Sequence, residues 1–204
     1  MSALFAGIPD WVVPFMILIV SVLALTIILE RGWLLLKTIT PLSMEDQKAL
    51  LTLIKNGKFA DAEAFCRLKD HPAYEQVLRI IMNRNDNYDL KHLADEEGLK
   101  QMAILEKYIP MLGTISTIGP LLGLLGTVTG MIKSFKAFDS TGAKSSAMMV
   151  GIDEALITTA LGLVVAIPSL IMYNFYVRKI NTIAEESNIL VLMTLDEINR
   201  AKRK

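Results

Sequence analysis

The chain has 204 residues, 52% hydrophobic and 21% charged, with 21 Lys plus Arg set against 21 Asp plus Glu. Zero net charge supplies no electrostatic footprint for a nucleic-acid partner, and the lone cysteine, Cys66, excludes an internal disulfide or a thiolate-rich metal site. The charges are segregated: none occurs from Trp11 to Leu29, from Tyr108 to Ile132, or from Ala155 to Val177, and each run is long enough to cross a hydrocarbon core about 30 Å thick as a helix.

In chain order, residues 1–10 precede a first span at 11–29. The stretch before Trp11 carries no basic residue, and Glu30-Arg31 follows without a small-residue cleavage site, so the run reads as a span and not as a secretory signal. Twelve Lys and Arg lie between Arg31 and Lys107, and six more between Arg178 and Lys204. By the positive-inside bias these segments are cytoplasmic and the N-terminus faces outside, against only Lys133, Lys136 and Lys144 in the outer loop.

Residues 30–107 form a cytoplasmic segment whose signals are helical throughout. Ser43 and Asp46 have the spacing of a capping box opening Met44 to Asn56, and Gly57 supplies a left-handed stop. Helical patterns follow at Phe59 to Lys69 and Ala73 to Arg84, separated by the Asp70-His71-Pro72 breaker. Asn85 to Asn87 reads as a turn, and Asp89 caps the helix leading to span two. His71 and His92 read as solvated surface residues, and the apolar content is too small for a large independent core.

Span two occupies 108–133, an outer loop 134–146, and span three 147–177, followed by a cytoplasmic tail at 178–204. Helical periodicity continues past Arg178 through Ile180, Ile183, Leu190, Val191, Leu195 and Ile198. That leaves an apolar stripe to be covered by other copies of the chain or by the segment between spans one and two. Spans two and three form an antiparallel hairpin with its tip at Asp139-Ser140-Thr141-Gly142, which sets Thr127 and Glu154 at equal depth.

Glu154 is the functional clue. An ionised side chain in hydrocarbon costs roughly 3 kcal/mol and tends to face a bundle interior or an ion path. Its bland alternative is a structural carboxylate paired between helices. Ser116, Pro120, Gly123 and Thr127 form one weakly polar stripe at helical spacing, and Thr158 lies one turn from Glu154, with Thr159 further to the side. Each threonine serves either conduction or packing, since hydroxyls bond readily within their own helix. Gly119, Gly123, Gly126 and Gly130 line an adjoining face where small residues allow close helix approach. No catalytic triad, phosphate-binding loop or metalloprotease helix is present, so neither an enzyme, a cofactor nor a metal site is expected.

Two stretches carry a family resemblance: Gly119-Pro120-Leu121-Leu122-Gly123-Leu124-Leu125-Gly126-Thr127-Val128 and Gly151-Ile152-Asp153-Glu154-Ala155-Leu156-Ile157-Thr158-Thr159-Ala160-Leu161-Gly162-Leu163. With Ala166-Ile167-Pro168 and Glu30-Arg31, they resemble the MotA/TolQ/ExbB proton-channel family. The retained glutamate points to the ExbB/TolQ branch and away from motility stators. The resemblance implies an all-α membrane protein of three transmembrane helices with long cytoplasmic helical extensions. It also implies a ring, a pentamer, in the bacterial inner membrane around an ExbD- or TolR-like single-span partner. Such a motor drives a TonB- or TolA-like energy transducer by proton motive force.

By matching motifs, Thr127, Glu154 and Thr159 stand at the family's polar pore positions. Val150 replaces a common proline and Asp153 a usually small residue. The rival readings are a non-conducting membrane scaffold and a sodium or proton stator of a motility apparatus.

Overall fold

Charge stops a bilayer crossing but not a helix, and the three long helices outrun the charge-free stretches at four of their six ends. The computed structural model describes residues 9, 11–38, 42–84, 89–141 and 145–202, with side chains at 9, 11–35, 42–84, 89–135, 149 and 151–201. Among these residues the regular structure is entirely helical: α1 (Val12–Thr38), α2 (Met44–Lys55), α3 (Phe59–Arg67), α4 (Pro72–Met82), α5 (Leu90–Glu106), α6 (Ile109–Thr141) and α7 (Ser145–Lys202). Three runs are long and apolar enough to cross a membrane: Val12–Leu35, Ile109–Phe135 and Gly151–Ala201.

The expected loop at 134–146 is largely helical. No glycine or proline interrupts Ser134 to Thr141, so α6 continues to Thr141 and α7 begins at Ser145. The connection falls on residues 142–144, outside the described residues, as does the turn expected at Asn85 to Asn87.

The chain divides into two compact units. Unit one comprises Met1–Arg31 and Tyr108–Phe175. Within it α1 lays Val13 and Ile17 on Leu122 of α6, with Val20, Leu125 and Val165 packed around them. Arg31 is 4% exposed despite its charge. Its guanidinium lies 5.3 Å from the centre of the Tyr108 ring and 3.5 Å from the Glu30 carboxylate. Tyr108 has φ 66°, in the left-handed region that bulky residues rarely occupy.

Unit two comprises Gly32–Lys107 and Tyr176–Lys204. Its core joins Leu50 and Ile54 of α2, Ala62 and Cys66 of α3, Ala73, Tyr74, Val77, Ile80 and Ile81 of α4, Leu90 and Ala94 of α5, and Leu190, Val191, Leu195 and Ile198 of α7. Of the covers left open for the tail stripe, the segment between spans one and two is therefore the one the fold uses. The core is accordingly not independent of the long helix: α7 residues complete it, in keeping with apolar content too small for a large core within residues 30–107 alone.

Local capping is mixed. Gly57 stops α2 with φ 73°, and Asp89 accepts from the Lys91 amide at 3.0 Å at the start of α5. The Ser43 side chain makes no cap bond, and the carboxylate of Asp46, the other half of the expected capping box, pairs with Lys69 at 2.5 Å. His71 is not a solvated residue: it is 7% exposed and its Nδ1 accepts from the Ala73 amide at 3.1 Å, capping α4. His92 is exposed. Burial, reinforced by nearby Glu63, pushes the Cys66 thiol up to about 12, so it stays protonated and inert.

Leu190 is fully buried at the join between α7 and the small helices. Leu190→Ala is expected to destabilise unit two by about 2–5 kcal/mol, read as a lowered denaturant midpoint for the detergent-solubilised protein.

Candidate functional site

Lipid offers no hydrophobic drive for one apolar helix to seek another, so association rests on close packing and hydrogen bonds. α6 and α7 meet along backbone laid bare by glycine. A Cβ added at Gly119 would lie 3.0 Å from the Gly162 carbonyl oxygen, one at Gly123 2.8 Å from the Thr159 Cα, and one at Gly130 2.9 Å from the Ala155 Cβ. At Gly126 it would press on the Thr158 side chain and come within 3.3 Å of Val13 on α1. All four glycines singled out from the sequence thus lie in the seam between these helices.

The facing side of the seam was not singled out. Gly151, Ala155, Gly162 and Ala166 of α7 stand opposite the α6 glycines, with Ser134 against Gly151. The signal was present, since Gly151 with Ala155 and Gly162 with Ala166 each have the small-x3-small spacing.

The pairs 126/158 and 130/155 set the register of the hairpin. Thr127 then stands level with Ile157 and Glu154 level with Met131. Glu154 lies about one turn, roughly 5 Å, nearer the hairpin connection than Thr127. Equal depth had followed from a tip at 139–142; moving the connection to 142–144 shifts the register by that turn.

The hydroxyls are engaged close to home. Thr127 donates to the Leu124 carbonyl at 2.8 Å, and Thr158, 6% exposed, donates to that of Ala155 at 2.7 Å. Thr159 donates across the seam to the Gly123 carbonyl at 3.0 Å, a side-chain bond joining α6 to α7. Ser116 bonds to Gly113 within its own helix.

Glu154 stands apart from them. It is exposed on the single chain and has neither a hydrogen bond nor an ion pair with any described residue. Asp153 beside it is exposed as well. Eleven residues, three turns, separate Glu154 from Val165, which packs towards Val13 and Ile17 of α1. Glu154 therefore lies on the same side of α7 as Val165, about 40° from Thr158, whereas Thr159 lies about 140° around the helix. The single chain brings Thr158 and Thr159 to the seam glycines, and Glu154, one turn from Thr158 along α7, takes no hydrogen bond from either hydroxyl, since both donate to carbonyls.

Residues 67–188 match the family described as the MotA/TolQ/ExbB proton channel family. A biopolymer transport protein described as ExbB-like from Synechocystis is 35% identical over 81% of this chain and 67% of its own length. The biopolymer transport protein ExbB of Aquifex aeolicus is 38% identical over 52% of this chain and 68% of its own. The Tol-Pal system protein TolQ of Haemophilus influenzae is 38% identical over 43% of this chain and 39% of its own.

Two glycine substitutions separate packing from propensity. In Gly162→Ala the new methyl would meet the Gly119 carbonyl oxygen at 2.5 Å, backbone that no rotamer can move, and a loss of about 1–3 kcal/mol is expected. Gly98 of α5 has nothing within 4 Å of an added Cβ, so Gly98→Ala is expected to stabilise by up to about 1 kcal/mol. Thermal unfolding in detergent reads both.

Proposed function

The chain belongs to the MotA/TolQ/ExbB proton channel family, on its ExbB/TolQ side, and from that premise we propose that it is the ring-forming subunit of an inner-membrane motor driven by proton motive force. The observation that carries this reading is the state of Glu154: a carboxylate in an apolar helix, exposed on its own chain and unpaired with any described residue. A charge so placed is too costly to leave against lipid. No described residue offers it a cation, and in this reading a hydrated lumen between copies supplies its solvent.

In this reading residues 30–107 and 178–204 are cytoplasmic, the N-terminus is periplasmic, and five copies surround the helices of an ExbD- or TolR-like single-span protein. Thr127 and Thr159, each partly exposed, extend a polar lining beside Glu154, while Thr158 packs the seam against Gly126. Their hydroxyls, already donating to carbonyls, keep oxygen lone pairs free to accept from water. Neighbouring chains supply what the single chain lacks, setting the carboxylate of one copy against the hydroxyl side of another. Protons moving inward through the ring release about 2.3 kcal/mol per charge per 100 mV, and the partner helices convert that to force on a TonB- or TolA-like protein. The protein performs no covalent chemistry and needs no cofactor.

Glu154→Gln is expected to reduce proton-driven transport to background while the complex still assembles, with Glu154→Ala behaving alike. Assembly is read by size-exclusion chromatography with light scattering and coupling by energised uptake in cells. Full transport by an assembled Gln variant would overturn the proposal, and dependence on external sodium at constant proton gradient would replace the proton as coupling ion.

A further inference from the structure

The cap on α4 is made by a residue that titrates. Helix N-caps are ordinarily Ser, Thr, Asp or Asn, whose oxygens accept from the first free amides. Here His71, in extended conformation at φ −144° and ψ 138°, accepts through Nδ1 from the Ala73 amide at 3.1 Å. An imidazole nitrogen accepts only when it carries no proton, so the capping form is the neutral tautomer with hydrogen on Nε2.

We propose that His71 is a proton-operated cap: neutral, it holds the first turn of α4, and protonated, it releases that turn and loosens the core of unit two. Two effects act together. A proton on Nδ1 turns the acceptor into a donor facing another donor, the Ala73 N–H. It also places a positive charge at the positive end of a helix dipole. The consequence reaches beyond one turn, because Ala73, Tyr74, Val77, Ile80 and Ile81 of α4 pack in the same core as Leu190, Val191, Leu195 and Ile198 of α7.

The surroundings favour imidazole as the titrating group. His71 lines two clefts of unit two, of about 490 and 270 Å³. The charged and titratable side chains lining them are Asp46 of α2, Cys66 and Arg67 of α3, Lys69 and Asp70 of the connection, and Tyr74 and Glu75 of α4. Asp46 and Lys69 neutralise one another at 2.5 Å. Cys66 and Tyr74 are each raised to about 12 and keep their protons. Imidazole is the side chain whose ordinary pKa falls near neutrality.

Burial holds His71 below its usual 6.5. The open state thus takes up a proton first as pH falls. The cap's contribution is fully present above about pH 6.5 and is lost as pH drops through the folded-state value. The proposed inward proton flow gives this a use, as relief when the receiving compartment acidifies, and the inference rests on that reading for its purpose alone. The cap itself is tested without any transport measurement.

The test is amide hydrogen exchange of Ala73 to Val77 in the full-length protein in nanodiscs, at about pH 7.5 and about pH 5.5, each corrected for intrinsic exchange. Wild type should lose protection on acidification by roughly fivefold, the worth of an ordinary cap. His71→Asn, a cap that does not titrate, should hold at both pH values the protection that wild type shows at the higher one. His71→Ala should be poorly protected at both. Flat protection in wild type, acid loss in the Asn variant equal to wild type, or full protection in the Ala variant at the higher pH would each overturn the proposal.

Discussion

Everything in unit one depends on α6 and α7 approaching until backbone meets backbone. Water is absent from the middle of a bilayer, so apolar side chains gain little there by facing protein instead of lipid. Glycines at 119, 123, 126 and 130 remove the side chains from one helix, while Gly151, Ala155, Gly162 and Ala166 thin them on the other. Dispersion contacts then accumulate over the whole seam, and Thr159 adds a hydrogen bond to the exposed carbonyl of Gly123. The polar residues near the seam inherit their depth and direction from this contact. A one-residue slip would turn Thr158 away from Gly126 and the cleft that receives it.

Unit two obeys the opposite physics. Its helices are short, between 9 and 17 residues in α2 to α5, too short to be stable alone in water. They persist because each buries an apolar face against the others and against the end of α7. One helix of 58 residues thus takes part in both units, with small residues towards α6 in one part and large aliphatic residues in the core of the short helices in the other. Pro168 within it removes a single amide donor, a cost that membrane helices tolerate when neighbours satisfy the freed carbonyl.

Glu154 gains meaning from this division. The seam buries threonines and glycines and leaves the carboxylate outside, unpaired by any described residue of its own chain. A single copy is therefore an incomplete environment for it. Family membership and this incompleteness point the same way, towards an assembly in which other chains finish the site.

Much was legible in the residues alone. Charge-free runs located three apolar helices because a bilayer tests composition directly. The spacing of four glycines marked a helix contact, and the two long motifs identified the family before any coordinate. Gly57 and Asp89 acted as written, since a left-handed stop and an Asp cap depend only on neighbours in sequence.

The misjudged features all depended on something distant. Asp46 abandoned its capping box for Lys69, 23 residues away. His71 became a buried cap where a surface side chain was expected, because α4 turned its first residue inward. The level of Glu154 moved by a turn because helix ends, which composition leaves open, decided where the hairpin reverses. Sequence by itself determined which segments suit lipid and which residue types carry charge into it, since these follow from local composition and period. Tertiary structure alone decided which faces meet and which polar groups find partners, because those outcomes are set by registers between segments that no local pattern encodes.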